Sequence, residues 1–164
     1  MPEIIINTSP LQYLYQLGLL HLLHQMYGRI IIPDAVLAEL ERGCLMGVKL
    51  PRISSVSWIE IKSVRDRTLL PAVTGLGQGE KEVLALALES SDALVVLDDL
   101  LARRYASFLR LKKTGTLGIL LKAKQLEQIK SLGPILDLLD SLGFRLGAKT
   151  RNSVLRLAGE THEQ

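Results

Sequence analysis

The chain has 164 residues, 48% of them apolar, and a net charge of +3; this is the length of one domain with ample material for a core. The longest leucine-rich stretch, Leu17 to Leu23, is interrupted by His21 and falls well short of the ~18 apolar residues a membrane span needs. The start Met1, Pro2, Glu3 lacks a signal peptide's basic beginning and cleavage site, so a cytoplasmic protein is expected, and the single cysteine, Cys44, excludes an internal disulfide or cysteine-rich zinc site.

Along the chain, Ile4 to Ile6 reads as a short buried strand. Ser9, Pro10 and Gln12 then supply an N-cap, a first-turn proline and a capping box. The spacing predicts a helix from there to Met26, ending near Gly28. Ile30 to Ile32 is a second strand closed by Pro33, and a helix over Asp34 to Arg42 should stop at Gly43. Alternation around Trp58, Ile59 and Ile61 suggests a strand within Val56 to Val64. An amphipathic helix follows over Glu80 to Glu89, then a buried strand over Leu94 to Leu97 ended by Asp98 and Asp99. Further helices are expected over Leu100 to Leu109, Leu117 to Ile129 and Pro134 to Leu142, with a last stretch from Arg151 to Leu157. Strands alternating with helices predict an α/β fold, a parallel sheet of about four to five strands covered on both faces.

In such a sheet, polar residues following a strand collect at its carboxyl edge, where these folds place their sites. Asn7, Thr8 and Ser9 land there, as do Asp98 and Asp99, although turn chemistry and capping use the same residue types. Glu80 shares a helix face with Val83, Leu84 and Ala87, while Glu82 and Glu89 should face water. A carboxylate on an apolar face needs a partner, a cation or the helix N-terminus. On the helix after Pro33, Glu39 and Glu41 flank the apolar residues, and geometry does not choose between them. Charge is uneven: residues 1–99 carry −4 and residues 100–164 carry +7, which means either a basic surface for polyanions beside an acidic pocket or solvated helix faces.

The glycines at 75, 77 and 79 lack the Lys-Ser/Thr pair of a phosphate loop. His21 and His24 lack further ligands nearby. An aspartyl-nucleophile phosphatase would need acids where Asn7, Thr8 and Ser9 stand.

The segments INTSP, IPDAVLAEL, GQGEKEVLALAL, VVLDDLLARRYA and TGTLG, with GFRL at 143–146, occur in this order. Together they resemble the PIN-domain superfamily, specifically the PIN-like branch of bacterial and archaeal proteins long described as a domain of unknown function and related to toxins. The resemblance runs from Ile4 to about Glu160. It implies a PIN-like three-layer fold in a single domain over the whole chain, and in active relatives metal-dependent cleavage of RNA. It places the first acidic position at Asn7, the second at Glu39, the third at Glu80 and the last at Asp98 or Asp99. The implied catalytic set is Glu39, Glu80, Asp98 and Asp99, and the implied Mg²⁺ or Mn²⁺ ligands are Asn7, Glu80, Asp98 and Asp99. Thr8, Ser9, Arg103, Arg104 and Thr116 are the implied RNA contacts.

Hard divalent cations take oxygen ligands and keep water, and clustered carboxylates would repel one another without one. At Asn7 the chain departs from the pattern, since an amide offers an oxygen but no charge and cannot act as a base. Two other readings follow. One is a catalytically weak module that binds RNA or a protein through Arg103, Arg104, Arg110, Lys112 and Lys113, with few aromatic residues for base stacking. The other is an interaction subunit whose Leu11 to Met26 helix forms a homodimer. The expected partners are RNA, a small antitoxin protein or a second copy, and no membrane.

Overall fold

The computed structural model describes residues 1–160. Its five strands are β1 (Glu3–Ile6), β2 (Ile30–Pro33), β3 (Ile59–Lys62), β4 (Ala93–Val96) and β5 (Lys112–Thr114). Its helices are α1 (Thr8–Gln16), α2 (His21–Tyr27), α3 (Asp34–Leu45), α4 (Gln78–Glu89), α5 (Leu100–Phe108), α6 (Thr116–Gln125), α7 (Gly133–Ser141) and α8 (Ala148–Leu157). All strands run parallel in the order β3-β2-β1-β4-β5.

Ile4, Ile5, Ile6, Ile30, Ile31, Ile32, Val95 and Val96 are buried, as expected for strands covered on both faces. Helices α3 and α4 pack on each other, with α4 against β1, β2 and β4. Elsewhere α1, α2 and α8 pack on α6. This is the three-layer α/β architecture expected from the alternation of elements.

Four local expectations need correction. The predicted helix from Ser9 to Met26 is two helices, because the chain breaks at Gly18, whose φ of +73° is a conformation glycine adopts without a Cβ clash. Its N-cap is Asn7 rather than Ser9, and Ser9 is free to bond elsewhere. Gly43 does not stop α3; it lies within the helix, where the missing Cβ lets the Leu50 side chain pack against the backbone. Strand β5 was not predicted, since Lys-Lys-Thr at the sheet edge carries no apolar pattern.

In the Leu11 to Met26 segment, Leu17, Leu19 and Leu20 are half-buried against the core. Leu11, Leu14, Leu22 and Leu23 are buried, and Met26 packs against the same core.

Candidate active site

The chain builds β1, β2 and β3 outward in one direction and then returns to place β4 on the other side of β1. The carboxyl ends of β1 and β4 are therefore the switch point, where diverging connections leave a crevice. Asn7 follows β1 there, its N–H bonded to Val96 O at 3.1 Å. Asp98 and Asp99 follow β4. Helix α4 brings Glu80 to the same place from the adjacent layer.

Asn7, Ser9, Tyr13, Glu80, Asp98 and Asp99 line one open cavity of about 400 Å³. The first, third and last acidic positions implied by the resemblance thus converge. Glu39 approaches from the side. Its carboxylate accepts from Thr8 Oγ1 and from Gly79 N–H at 3.2 Å, and it adds negative charge near Glu80. Glu41, its equal in helical geometry, is exposed.

Gly79 makes this convergence possible. A Cβ at that position would sit 2.9 Å from both Glu39 carboxylate oxygens and 3.0 Å from Asn7 Oδ1. Gly115 does the same on the other side, where a Cβ would lie 2.8 Å from Asp98 Oδ1 and 2.9 Å from Leu97 O.

Each acid is held differently. Asp98 accepts from three donors: Thr116 N–H at 2.8 Å, Thr116 Oγ1 at 2.7 Å and Ser9 Oγ at 3.1 Å. Asp99 caps α5, accepting from Ala102 N–H at 3.0 Å. Glu80 sits in the first turn of α4, where one oxygen accepts from Gly77 N–H at 3.0 Å. Burial pushes its carboxyl above the ordinary value, the Gly77 bond opposes this, and the charges of Asp99 and Glu39 add to the rise.

Two oxygens in this cavity are left over. Asn7 Oδ1 and Glu80 Oε2 are both buried and have no hydrogen-bond partner. An orphaned buried acceptor costs about 1–3 kcal/mol, and two beside two further carboxylates form an oxygen-donor set suited to a hard cation. Among the described residues, no three His, Cys, Asp or Glu side chains form a metal-holding group by themselves. The fit is therefore to an ion that takes one or two carboxylates and completes its shell with water or phosphate, as Mg²⁺ does.

The remaining expected residues are scattered. Thr8 and Ser9 are half-buried and bonded to Glu39 and Asp98. Thr116, expected to face RNA, has 0% exposure, with its N–H and hydroxyl both spent on Asp98; it positions that acid. Arg103 lines an adjoining cleft and donates to Leu97 O at 3.0 Å. Arg104 is exposed on α5 and lines neither cavity.

Arg110 and Lys112 also lie outside both cavities, and Lys112 pairs with Asp92 at 3.0 Å. His24 stacks on Trp58 and bonds Gly28 O. Sequence reasoning overlooked Phe144 and Arg145, which line the acidic cavity from the loop between α7 and α8. The GFRL motif marked them, but nothing local tied them to acids far earlier in the chain.

A parallel sheet with carboxylates gathered at its switch point defines a three-layer α/β domain with an acidic edge site. The chain matches the family model DUF3368, described as a PIN domain, over residues 3–160 and belongs to that family. The PIN domain is a nuclease-type fold, and the resemblance read from the motifs is thereby established. A comparison with curated proteins gives no match. No helix among the described residues is long and apolar enough to cross a membrane.

Proposed function

We propose that this protein is a metal-dependent endoribonuclease acting at the cavity between β1 and β4. The observation that carries the reading is the pair of orphaned oxygens, Asn7 Oδ1 and Glu80 Oε2, in one cavity with Asp98 and Asp99. Glu80, Asp99 and Asn7 would hold Mg²⁺ or Mn²⁺, with Asp98 beside them. When bound, such an ion lowers the pKa of a water and offsets charge on the phosphate.

The chain's own residues do the rest. Thr116 and Ser9 fix the Asp98 carboxylate, while Thr8 and Gly79 fix that of Glu39, so neither must reorganise during the reaction. Glu80 Oε1 is spent on the Gly77 N–H, and Oε2, which has no donor, is the Glu80 oxygen left to face an ion.

The test is cleavage of a mixed RNA pool with Mn²⁺ or Mg²⁺, comparing the native chain with Glu80→Gln and Asp99→Asn. Both substitutions keep the oxygen that caps a helix, so folding is preserved. Cleavage lost with EDTA and in both variants supports the reading; cleavage that survives in both overturns it. The same reading extends to the toxin of a toxin–antitoxin pair, for which induced expression should arrest growth in a manner relieved by Glu80→Gln or by co-expression of a small antitoxin.

A second reading is a catalytically weak module that binds RNA. It is favoured by the neutral Asn7 and by the three donors already occupying Asp98. RNA binding by a folded chain that cleaves nothing would select it.

A further inference from the structure

Beside the acidic cavity lies a second cleft of about 420 Å³, and Asp98, Phe144 and Arg145 line both. Their charges are opposite. Arg145 is the one cation among the described residues that line the acidic cavity. The second cleft carries Arg103, Lys113 and Arg145 against the single carboxylate of Asp98, which Thr116 and Ser9 already occupy. Lys113 and Arg145 are exposed, and among the described residues neither forms an ion pair. Arg103 is pinned by its bond to Leu97 O, which leaves the rest of its guanidinium fork available. The basic half of the chain therefore contributes a cluster beside the acids, and it does so through residues from α5, β5 and the α7–α8 loop.

Phe144 stands between the two cavities. Its ring meets Tyr13 edge-on at 5.1 Å, which fixes the loop against α1 and leaves Phe144 half-buried. An apolar ring flanked by unpaired cations and opening onto carboxylates matches a strand with both bases and phosphates to place. A duplex would keep its bases stacked inside and could not use the ring.

We infer that the α7–α8 loop is a substrate arm: a single-stranded polynucleotide lies along both cavities, with backbone phosphates on Arg145 and Lys113 and a base against Phe144. This rests on the nuclease reading and specifies how that site holds its substrate. Arg145 lines both the phosphate-holding cleft and the acidic cavity, so its contact joins the two parts of the path. Arg103 forms the floor of the cleft.

The test measures binding of a labelled single-stranded RNA of mixed sequence by fluorescence anisotropy, in EDTA, at salt from 50 to 200 mM. Cleavage is silent under these conditions, so the outcome is independent of the nuclease assay. Arg145→Ala and Lys113→Ala are each expected to weaken binding about tenfold and to flatten the log Kd against log salt slope by about 0.7, the single-strand value per phosphate contact. Arg145→Lys should recover most of the slope, because the charge remains. Arg156→Ala, an exposed cation on α8 outside both cavities, should change neither quantity. Unchanged affinity and slope in Arg145→Ala overturn the arm while leaving the nuclease reading to its own assay. Tighter binding of a duplex of the same sequence, or no binding by the folded native chain, overturns it as well.

Discussion

Asn7 stands where the motif resemblance implies an acid, is only 7% exposed, and leaves its side-chain oxygen without a partner. Replacing it tests what the missing charge costs. Asn7→Asp adds a carboxylate beside Glu80, which burial and then the charges of Asp99 and Glu39 already push toward protonation. With Mn²⁺ present the added charge should strengthen ion binding and raise the cleavage rate by at least tenfold, about 1.4 kcal/mol in the barrier. In EDTA the same variant should melt earlier, and the sign of its pH dependence is fixed. An acid whose folded pKa is raised contributes stability below its unfolded value and loses it as pH rises through the folded one. The deficit in Tm should therefore be larger at pH 7 than at pH 4. A variant with unchanged cleavage would show that charge at this position is not what limits the chain. Asn7, Glu80, Asp98 and Asp99 were legible from sequence because each directly follows a strand or opens a helix. Thr116, which the resemblance implies as an RNA contact, is buried against Asp98 instead, because the TGTLG motif marks the position without saying whether its hydroxyl faces a substrate or an acid.

At the scale of elements, α4 departs most from its sequence pattern. Its periodicity assigns Glu82 to solvent, yet Glu82 is 5% exposed. The helix lies between the sheet and α3, so Glu82, Val83, Leu84, Ala85, Leu86 and Ala87 are buried in succession, and an amphipathic split fails for a helix covered on more than one side. Glu82 uses its place to cap a neighbour. α3 begins after Pro33 with no side-chain cap of its own, and Glu82 Oε1 accepts the Ala35 N–H at 3.1 Å while Gln78 bonds the other oxygen at 3.0 Å. Glu89 was likewise assigned to water and instead accepts the N–H groups of Arg65 and Asp66 at 2.8 Å each. Glu82→Ala strands a helix-terminal N–H and should cost about 1–3 kcal/mol. Glu82→Gln keeps the accepting oxygen and should cost clearly less. Urea midpoints at unchanged m-value measure both; equal losses would mean that Glu82 matters for charge or packing rather than for capping α3. A tertiary cap of this kind leaves no local sequence signal, whereas the strands β1, β2 and β4 were legible because continuous Ile and Val runs have few other uses.

Across the whole molecule, the loop that carries Phe144 and Arg145 reaches acids from much earlier in the chain, and Glu160 braces the helices on either side of that loop. Beyond α8 its carboxylate returns to the start of α7, accepting from Leu132 N–H at 2.7 Å, Gly133 N–H at 3.1 Å and Ser131 Oγ at 3.1 Å, with Lys124 of α6 at 3.3 Å. This clasp closes the α7–α8 unit whose loop carries Phe144 and Arg145. Burial raises the Glu160 carboxyl, but the bonds from Leu132, Gly133, Ser131 and Lys124 outweigh it and hold the group below its ordinary value of 4.5. For an acid shifted down, the stabilisation is complete above the unfolded value and disappears as pH falls through the folded one. The native chain should therefore lose Tm as pH drops below about 4.5, and Glu160→Gln, lacking the charge, should lose less over that range. At neutral pH the variant should bind single-stranded RNA more weakly with the salt slope retained, because the phosphate-contacting cations remain and only their placement loosens. Hydrogen exchange confined to α7, α8 and their loop would locate the loosening there. Exchange that rises evenly over the sheet would instead make Glu160 a determinant of global stability, with the arm held by its own contact to Tyr13.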